Sequence, residues 1–510
     1  MKEYRTANGE ILLYLGDPKF SLLDALAEGP GDLWHSGLDQ GYKNAFKEII
    51  YQTATFWWYL NDFEDLDECI SWRPNPNAFV IRKSAWVHMN GLDENFGSKD
   101  LQVLDLAYQM LRDCGGIPLY VKGLFPEANH QVNITAIDRY GFYLKHFKKH
   151  HSWYMLLRQN PLKWLSEWWA LNRAKRGHQG KKITEPIPPR PLRAIEGQPK
   201  VSAIIPTMGR QDFVLKLLDD LSKQSWLPYE VVVVDATPEK DRDQTLYASF
   251  SAPFHFKYYW QTSKGSCRAR NEAIAQCEGD YVLFFDDDVR VPPTLIENHL
   301  KVIQTYRAAG NNGLDIRAKR PTDDLDDLKH YLDEEPLYQT KIGATQSFSN
   351  ANSFVAKSWV DRLHGNDINY DGGYGEDGDF GIRLVRSGAV VLFNSFATNL
   401  HLKPPAGGYR WWGEQAKVTG KKRKKQPWEM DHPVGNLTPV PSPTVMYQIM
   451  KFHSQEEVNE YKWKYFFIYL FKSKQGSIFK RFLRLPKRLR QFKLSQFYAN
   501  QLLRLGMRYE

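Results

Sequence analysis

Alternating strands and helices organise residues 201–290 of this chain. The pattern of apolar runs and amphipathic stretches predicts strands at 201–206, 230–235, 256–260 and 281–285 and helices at 212–223 and 268–277. The strands are almost continuously apolar, which is typical of strands buried on both faces of a parallel sheet. We therefore predict an α/β domain with a mostly parallel, Rossmann-like sheet flanked by helices, and a nucleotide crevice at the strand ends.

Residues 1–145 carry a second, shorter α/β pattern. It predicts strands at 11–15, 79–81 and 119–121 and a helix at 104–111. The motif Asn-Ala-Phe-Val at 77–80 resembles Asn-Ser-Phe-Val at 352–355, and a Lys-Ser pair and a Gly-x-Asp follow each copy at similar distances. One supersecondary unit is therefore expected twice, about 270 residues apart.

Two basic segments complete the chain. Residues 146–199 predict a helix rich in tryptophan and basic side chains over 147–176, followed by a proline-rich, semi-rigid linker. The C-terminal residues are again basic and mostly helical in pattern. We expect four parts, with boundaries at 1–145, 146–199, 200–420 and 421–510.

Composition narrows the class of protein. With 42% hydrophobic residues and a net charge of +9, the chain predicts a globular protein with substantial cores. The four cysteines lack metal-ligand spacing, and no signal region or long apolar run is found, so we expect a cytoplasmic protein. The basic excess predicts an anionic partner such as a phosphate-bearing substrate or membrane lipid, and nucleic acid is not expected because its sequence signatures are missing.

Three consecutive carboxylates end the strand at 281–285. Asp286 and Asp288 are two residues apart at the expected ligand edge of the sheet, with Asp287 between them. Carboxylate oxygens of this kind suit Mg²⁺ or Mn²⁺ on a diphosphate. A solvated acidic turn is the alternative for the motif taken alone.

A glycine-rich block at 372–379 supplies further acids. Glu376 and Asp377 precede a predicted helix, where carboxylates stay ionised and can act as bases, although a helix cap is the simpler interpretation. His401 follows another strand and is a candidate metal ligand. The Gly- and Pro-rich aromatic loop at 403–412 is a candidate lid.

Five motifs in this order resemble a family 2 glycosyltransferase of the GT-A fold. They are the opening strand with Pro206-Thr207, the strand that ends at Asp235, the segment 265–271, the Asp-x-Asp strand and Gly375-Glu376-Asp377. The resemblance covers residues 200–402. The block at 372–379 also resembles the C-terminal motif of galactosyltransferases, which suggests a hexose donor.

The resemblance implies roles for individual residues. The donor nucleotide sugar would contact Pro206, Thr207, Arg210, Asp235, Gly265, Arg270 and Asp287. Asp286, Asp288 and His401 would bind the divalent cation, and Asp377, with Glu376 beside it, would be the general base. The implied reaction is an inverting, metal-dependent transfer from a nucleotide-diphosphate sugar to a hydroxyl of a glycan or lipid-linked acceptor, in cell-surface polysaccharide synthesis.

The first copy lacks these acids and is expected to be non-catalytic. The sequence alignment puts Gly16 and Pro18 at the positions of Asp286 and Asp288, and Gln102-Val103 at Glu376-Asp377. Two alternatives stay open for the whole chain. They are a carbohydrate-binding or scaffold protein derived from decayed transferase copies, and a nucleotidyltransferase, for which residues 207–210 make a poor phosphate loop.

The last forty residues predict contact with a membrane surface. Residues 471–510 interleave lysine and arginine with phenylalanine, leucine and isoleucine, and Glu510 is the only acid. Such a segment is typical of a basic amphipathic helix that lies on anionic lipid at the inner face of the cell membrane. A solvated helix packed on the catalytic domain is the alternative.

Overall fold

The protein is described by a computed structural model, whose described residues form two sheet modules, a group of helices between them and a second group of helices at the C-terminus. It describes residues 1–510 apart from 44, 47–48, 50–62, 64, 178–181, 262–264, 335–340, 405–407, 410–436 and 473–475. The α/β class is confirmed.

The first module is a mixed sheet. Its strands are β1 Lys2–Arg5, β2 Ile11–Leu15, β3 Leu33–His35, β4 Glu68–Ile70, β5 Phe79–Arg82 and β6 Pro118–Val121, in the order β1-β2-β5-β3-β6-β4. Its helices are α1 Leu23–Glu28, α2 Lys83–His88 and α3 Lys99–Gln109. Helix α3 begins five residues before the predicted start at 104, because the Ser98 side chain caps it by accepting from the Leu101 amide.

Three helices follow, α4 Ala136–His146, α5 Lys149–Leu157 and α6 Trp164–Gly177. The single helix predicted over 147–176 is therefore two helices. The break lies at Asn160-Pro161, where the Asn160 side chain accepts from the Leu162 amide at 3.0 Å and proline can only begin a new helix.

The proline-rich segment after α6 is bound to both modules. The Ile187 amide donates to the Cys114 carbonyl at 2.8 Å, and Arg190 donates to the carbonyls of Gly29, Pro30 and Gly31. Arg190 also donates its backbone amide to the Tyr306 hydroxyl in the second module at 3.0 Å. The segment therefore holds the modules together, and one apolar cluster extends from Trp34 of the first sheet to Phe284 of the second.

The second module is built on a larger mixed sheet. Its strands are β7 Val201–Thr207, β8 Glu230–Asp235, β9 His255–Trp260, β10 Tyr281–Phe284, β11 Val289–Arg290, β12 Gly310–Arg317, β13 Ile342–Ala344, β14 Ser353–Ala356 and β15 Val391–His401. Their order is β11-β15-β12-β14-β10-β7-β8-β9, with β13 on β15. The block β10-β7-β8-β9 is parallel as predicted, and β12 and β15 run in the same direction. Strand β14 is antiparallel to both its neighbours.

Helices cover both faces of this sheet. They are α7 Gln211–Ser222, α8 Gln244–Ala248, α9 Ser266–Ala275, α10 Leu295–Tyr306, α11 Leu325–Asp333, α12 Lys357–Arg362 and α13 Glu376–Arg386. Helices α7 and α10 pack in one apolar cluster, and α9 and α13 in the cluster shared with the first module. The switch from parallel to antiparallel pairing next to β10 places its carboxyl end at a crevice.

Strand pairing supports the internal duplication. The strands β2, β5, β3, β6 and β4 pair in the same order and with the same senses as β10, β14, β12, β15 and β13. The first module has no counterpart, among its described residues, to the parallel strands β7, β8 and β9. The shared unit is therefore the half of the second sheet that begins with β10, the strand that leads into the three acids, and includes β14, β12, β15 and β13.

The register corrects one detail of the sequence alignment. Val80 lies opposite Tyr14, and the equivalent Val355 lies opposite Val282. Counting from these pairs, Pro18 and Phe20 occupy the positions of Asp286 and Asp288, two residues later than aligned. The alignment of Val103 with Asp377 holds to within one residue, because left-handed glycines stand at matching places before the two helices, Gly91 and Gly365, and after them, Gly115 and Gly388. Asp100 is the second residue of α3, which begins one turn earlier than α13.

The C-terminal helices pack on the second module. They are α14 Pro443–Phe452, α15 Gln455–Phe467, α16 Ile478–Leu483 and α17 Leu485–Leu505. Phe492 of α17 is buried with Tyr370 and Tyr447 in one apolar cluster. Among the helices that the structure describes, none is both long and apolar enough to cross a bilayer.

Candidate active site

The predicted metal ligands come together at the carboxyl end of β10. One ligand atom from each of Asp286, Asp288 and His401 lies within 4.8 Å of the other two. Antiparallel pairing of β11 with β15 sets Val289 opposite His401, which brings the imidazole to the acidic turn. Two carboxylates and an imidazole are donors that suit Mn²⁺ or Mg²⁺, so these residues fit a divalent cation.

The His401 ring is held between two carboxylates. Its Nε2 lies 3.3 Å from Asp288 Oδ1, and its Nδ1 lies 3.1 Å from Asp315 Oδ1 on β12. Burial alone would lower the pKa of His401, but these two carboxylates raise it to about 10. A carboxylate behind a metal-binding histidine fixes the orientation of the ring. Asp315 therefore has the position of a supporting residue.

Asp287 faces a different set of groups. It accepts from the Thr207 hydroxyl at 2.7 Å and from Arg210 Nη1 at 2.8 Å, and the same guanidinium nitrogen lies 3.0 Å from Asp288 Oδ2. Burial raises the pKa of Asp287 to about 6, although Arg210 acts in the opposite direction. Asp287 therefore lies toward Thr207 and Arg210, whereas Asp286 and Asp288 lie with His401 in the candidate metal site.

Arg270 connects the acidic turn with helix α13. Its Nη2 donates to Asp286 Oδ1 at 2.6 Å, and its side chain is buried. Burial lowers the pKa of Arg270, but the carboxylates of Asp286, Asp377 and Glu376 together hold it above its ordinary value. The positively charged guanidinium of Arg270 therefore lies between the candidate metal ligands and the candidate base.

Asp377 stands in the first turn of α13. The Asn350 amide group donates to its Oδ1. Gly375 precedes the helix with a φ of 104°, a left-handed conformation that favours glycine. Glu376 is buried at the same helix start. Asp379 is engaged elsewhere, since it accepts from Arg383 Nε at 2.7 Å and from Lys451 Nζ at 2.6 Å.

The nucleoside side of the crevice is closely packed. Asp235 at the end of β8 is fully buried and accepts from the Thr237 amide at 2.7 Å and from the Tyr247 hydroxyl at 2.8 Å. Pro206 and Thr207 lie next to it on β7, where Thr207 is paired with Asp235. Contact of these residues with a donor base stays a prediction.

Gly265 begins helix α9 against Asp371. A Cβ at this position would lie 2.2 Å from Asp371 Oδ2, so the close approach requires glycine. The Cys267 amide donates to Asp371 Oδ1 at 2.7 Å. Burial raises the pKa of Asp371 to about 6. Gly265 is thus explained by packing, and its role at the donor stays a prediction.

The candidate lid is described only in part. Residues 405–407 and 410–412 lie outside the described residues. Gly408 donates its amide to the Met208 carbonyl at 2.7 Å, and the Tyr409 hydroxyl donates to Gln261 Oε1 at 3.2 Å. Burial raises the pKa of Tyr409, and Asp287 adds to the rise. These two residues therefore cover the crevice beside Asp287.

Several site residues were missed by sequence reasoning. They are Thr237, Tyr247, Asp315, Asn350 and Asp371. Thr237 follows Asp235 by two residues, the spacing of an Asx turn, and Asp371 directly precedes the glycine-rich block, so both had a local signal. The others reach the site through tertiary contacts across distant parts of the chain.

The comparison with known families gives one match. The family "Glycosyl transferase family 2" matches residues 202–357. The sequence resemblance is thus confirmed over residues 202–357, from β7 to β14, and this match does not extend to the block at 375–377 or to His401.

Curated relatives cover parts of the chain. An uncharacterized glycosyltransferase, YwdF, of Bacillus subtilis is 30% identical over 107 residues, which are 21% of this chain and 39% of that protein. Chondroitin synthase of Escherichia coli is 26% identical over 259 residues, 42% of this chain and 36% of the synthase. The chain therefore spans less than two-fifths of the length of either relative.

Solved structures with similarity are remote in sequence. Staphylococcus aureus TarS 1-349 in complex with UDP-GlcNAc superposes with a TM-score of 0.37 and 16% identity, covering 61% of this chain and 93% of that one. GalNAc-T7 with UDP, GalNAc and Mn²⁺ has a TM-score of 0.34 and 13% identity, covering 41% of this chain and 44% of that one.

Proposed function

We propose that this chain, whose residues 202–357 match glycosyltransferase family 2, is an inverting, metal-dependent glycosyltransferase. It would move a sugar, with a hexose as the first candidate, from a nucleotide-diphosphate donor to a hydroxyl of a glycan or lipid-linked acceptor. The relatives include a chondroitin synthase, which supports a role in polysaccharide synthesis. The nucleotide base and the linkage are left open.

The observation that carries the proposal is the convergence of Asp286, Asp288 and His401 within 4.8 Å at the carboxyl end of β10. These three side chains would hold the divalent cation. Once bound, the cation would neutralise the diphosphate of the donor and of the leaving nucleotide as a Lewis acid. A scaffold protein without catalysis has no need to keep these donors together.

Arg270 and Asp377 supply the remaining chemistry. Arg270 carries a fixed positive charge next to Asp286, where it favours a diphosphate and the charge that develops on it. Asp377 would take the proton of the acceptor hydroxyl as that oxygen attacks the anomeric carbon on the face opposite the departing diphosphate. A single displacement of this kind inverts the anomeric configuration. Asn350 orients the Asp377 carboxylate for this role.

The first module would bind the acceptor and take no part in the chemistry. Pro18 and Phe20 replace the metal-binding acids there, as the strand register indicates. A cavity of about 520 Å³ opens between the start of α3 and the start of α4, lined by Ser98, Asp100 and Asn133 among others. Its size is in the range of small-ligand pockets.

We also propose that the enzyme works at the inner face of the cell membrane, on anionic lipid. The basic C-terminal segment supports this location. A lipid-linked acceptor would then be within reach of the active site.

A two-step experiment tests the proposed reaction. Nucleoside diphosphates are screened by thermal shift with and without Mn²⁺, because a ligand that binds only the native state raises the melting temperature. The donor sugars of the nucleotide that binds are then incubated with acceptor glycans, and the product's anomeric configuration is read by NMR. Metal-independent binding of every nucleotide, or a product with retained configuration, would contradict the proposal.

A further inference from the structure

A group of large apolar side chains faces solvent near the C-terminus. Within the described part of residues 461–484, this group, called the aromatic patch below, consists of Trp463, Phe467, Ile468, Phe471, Ile478, Phe479, Phe482 and Leu483. Trp463 and Phe479 are each 70% exposed, and Leu483 is 67% exposed. Exposed apolar groups of this size mark interaction surfaces in globular proteins.

The patch is continuous in space. Trp463, Phe467 and Phe471 are four residues apart, which places them along one face of a helix. The ring centroids of Phe467 and Phe471 lie 5.1 Å apart, and those of Phe471 and Phe482 lie 6.4 Å apart. The side chains of α15 and α16 therefore form one surface and not scattered exposed residues.

The charge around the patch has one sign. The sequence has no aspartate or glutamate from 461 to 509. Lys480 and Arg484 are exposed within or directly beside the patch, and Lys487 and Arg490 follow on α17. Tryptophan and phenylalanine on the apolar side with lysine and arginine at its edge are typical of surfaces that bind anionic lipid. A basic rim of this kind is complementary to phosphate-rich headgroups.

Two apolar side chains of the last helix lie away from this surface. Phe492 and Leu494 were expected to face lipid, but both are buried on the protein, as the alternative interpretation of the C-terminus predicts for α17. The chain end is also bound to the second module, since Asn369 Nδ2 donates to the Gly506 carbonyl at 2.6 Å and the Ile368 amide donates to the Arg508 carbonyl at 2.8 Å. The end of α17 is therefore anchored on the second module.

We propose that the aromatic patch and its basic rim form the membrane-docking surface of this protein, with phenylalanine, tryptophan and leucine in the lipid interface and Lys480 and Arg484 on anionic headgroups. The proposal deepens the location given under the proposed function and assigns it to α15 and α16 instead of α17. Only the purpose of the docking rests on the proposed function, because the docked enzyme would have a lipid-linked acceptor close to its active site.

The test uses the full-length protein and sedimentation with two kinds of vesicles, phosphatidylcholine alone and phosphatidylcholine mixed with phosphatidylglycerol. The wild type is expected to bind the anionic vesicles and to be released by salt. The double variants Phe479→Ser/Leu483→Ser and Lys480→Glu/Arg484→Glu should each lose about tenfold or more in partitioning. Their side chains are exposed, so folding should be retained and is checked by circular dichroism.

Matched control variants lie on other surfaces. Val87→Ser/Leu227→Ser removes two exposed apolar side chains, and Lys216→Glu/Lys329→Glu makes the same change of net charge as the basic-rim variant. Both should bind vesicles like the wild type. Equal losses in patch and control variants would overturn the proposal, as would binding to neutral vesicles alone.

Two further readouts keep the outcomes separate. Transfer to a soluble acceptor should be unchanged in the patch variants, so failure of the transfer reaction and failure of docking are distinguishable. If the wild type ignores both kinds of vesicles and instead forms dimers that the patch variants lack, the patch contacts a second copy of the chain and the lipid proposal is wrong.

Discussion

The two modules share one unit of sheet and helix but differ at its strand ends. In the second module β10 leads into Asp286 and Asp288, while the same register positions in the first module hold Pro18 and Phe20. Helices α3 and α13 each carry an acid at the second position, Asp100 and Asp377. The comparison shows that a unit of sheet and helix can keep its strand pairing where the acids at its strand end are replaced.

The acids Asp100 and Asp377 have different surroundings. Asp100 is buried and accepts from the Asn133 amide at 2.6 Å and from His130 Nε2 at 2.9 Å, in addition to the Tyr42 hydroxyl. Asp377 is only partly buried and faces the Arg270 side of the crevice. Asp100 therefore holds loops together, whereas part of Asp377 is exposed in the crevice. The second helix position serves structure in the first module and, as proposed, catalysis in the second.

The largest effect is expected from the acids that only the second module has. Asp288→Ala should lower transfer by roughly 10³-fold or more, because the diphosphate would lose its main electrostatic stabilisation. Calorimetric titration with Mn²⁺ and nucleotide should also show loss of the metal-dependent affinity. Pro18→Ala at the first module is the matched control and should leave both quantities unchanged. Metal-dependent binding that survives both Asp286→Ala and Asp288→Ala would show that the metal site is elsewhere.

The next effect concerns the base. Asp377→Asn should reduce kcat by about 10²-fold or more, since the amide is nearly isosteric but takes no proton. Donor affinity should stay close to that of the wild type. Steady-state kinetics and calorimetry measure the two quantities separately. Turnover like that of the wild type would move the base, and Glu376 would be tested next because Asp379 is already paired with Arg383 and Lys451.

A pH-dependent difference in stability is expected at His401. With the metal removed by EDTA, the raised pKa of His401, about 10 in the folded protein, stabilises the native state fully below its ordinary value of 6.5. That contribution is lost as the pH rises through about 10. The free energy of unfolding of the wild type should exceed that of His401→Asn by on the order of 3 kcal/mol at about pH 6, and much less at about pH 10.5. Urea denaturation at both pH values measures the difference, and a constant gap would refute the charge assignment.

The smallest effect is expected for the acid of the first module. Asp100→Asn should lower the free energy of unfolding by about 1–2 kcal/mol, because the buried side chain loses charge-assisted hydrogen bonds. The turnover of the folded fraction should stay the same for a small acceptor. Urea denaturation and active-site titration give the two values. A loss of turnover as large as that of Asp377→Asn would end the division of labour between the modules.

The contacts between the two modules make it difficult to study either module as a separate fragment. Arg190 and the residues around it bridge both sheets, and the shared apolar cluster crosses between them. A chain that begins near residue 186 would expose part of this cluster to water. Point variants at equivalent positions are therefore the sharper comparison.

The sequence by itself determined the elements whose signals are local. The apolar runs gave the strands β7, β8 and β10, the three consecutive acids marked the end of β10, and the repeated Asn-x-Phe-Val motif revealed the duplicated unit. Strand burial and turn chemistry act over a few residues, so a single sequence shows them. The family resemblance, carried by five motifs in order, brought Asp286, Asp288 and His401 into one predicted site.

Tertiary structure alone decided the pairings across the chain. The partnership of His401 with Asp315, the turn of Asp287 toward Thr207, and the burial of Phe492 depend on strand register and helix packing between distant segments. Each depends on which buried polar groups require a hydrogen bond and which apolar groups are buried once the sheet has formed. The local sequence pattern does not specify these contacts, because a one-residue change of register would give every one of these side chains different neighbours.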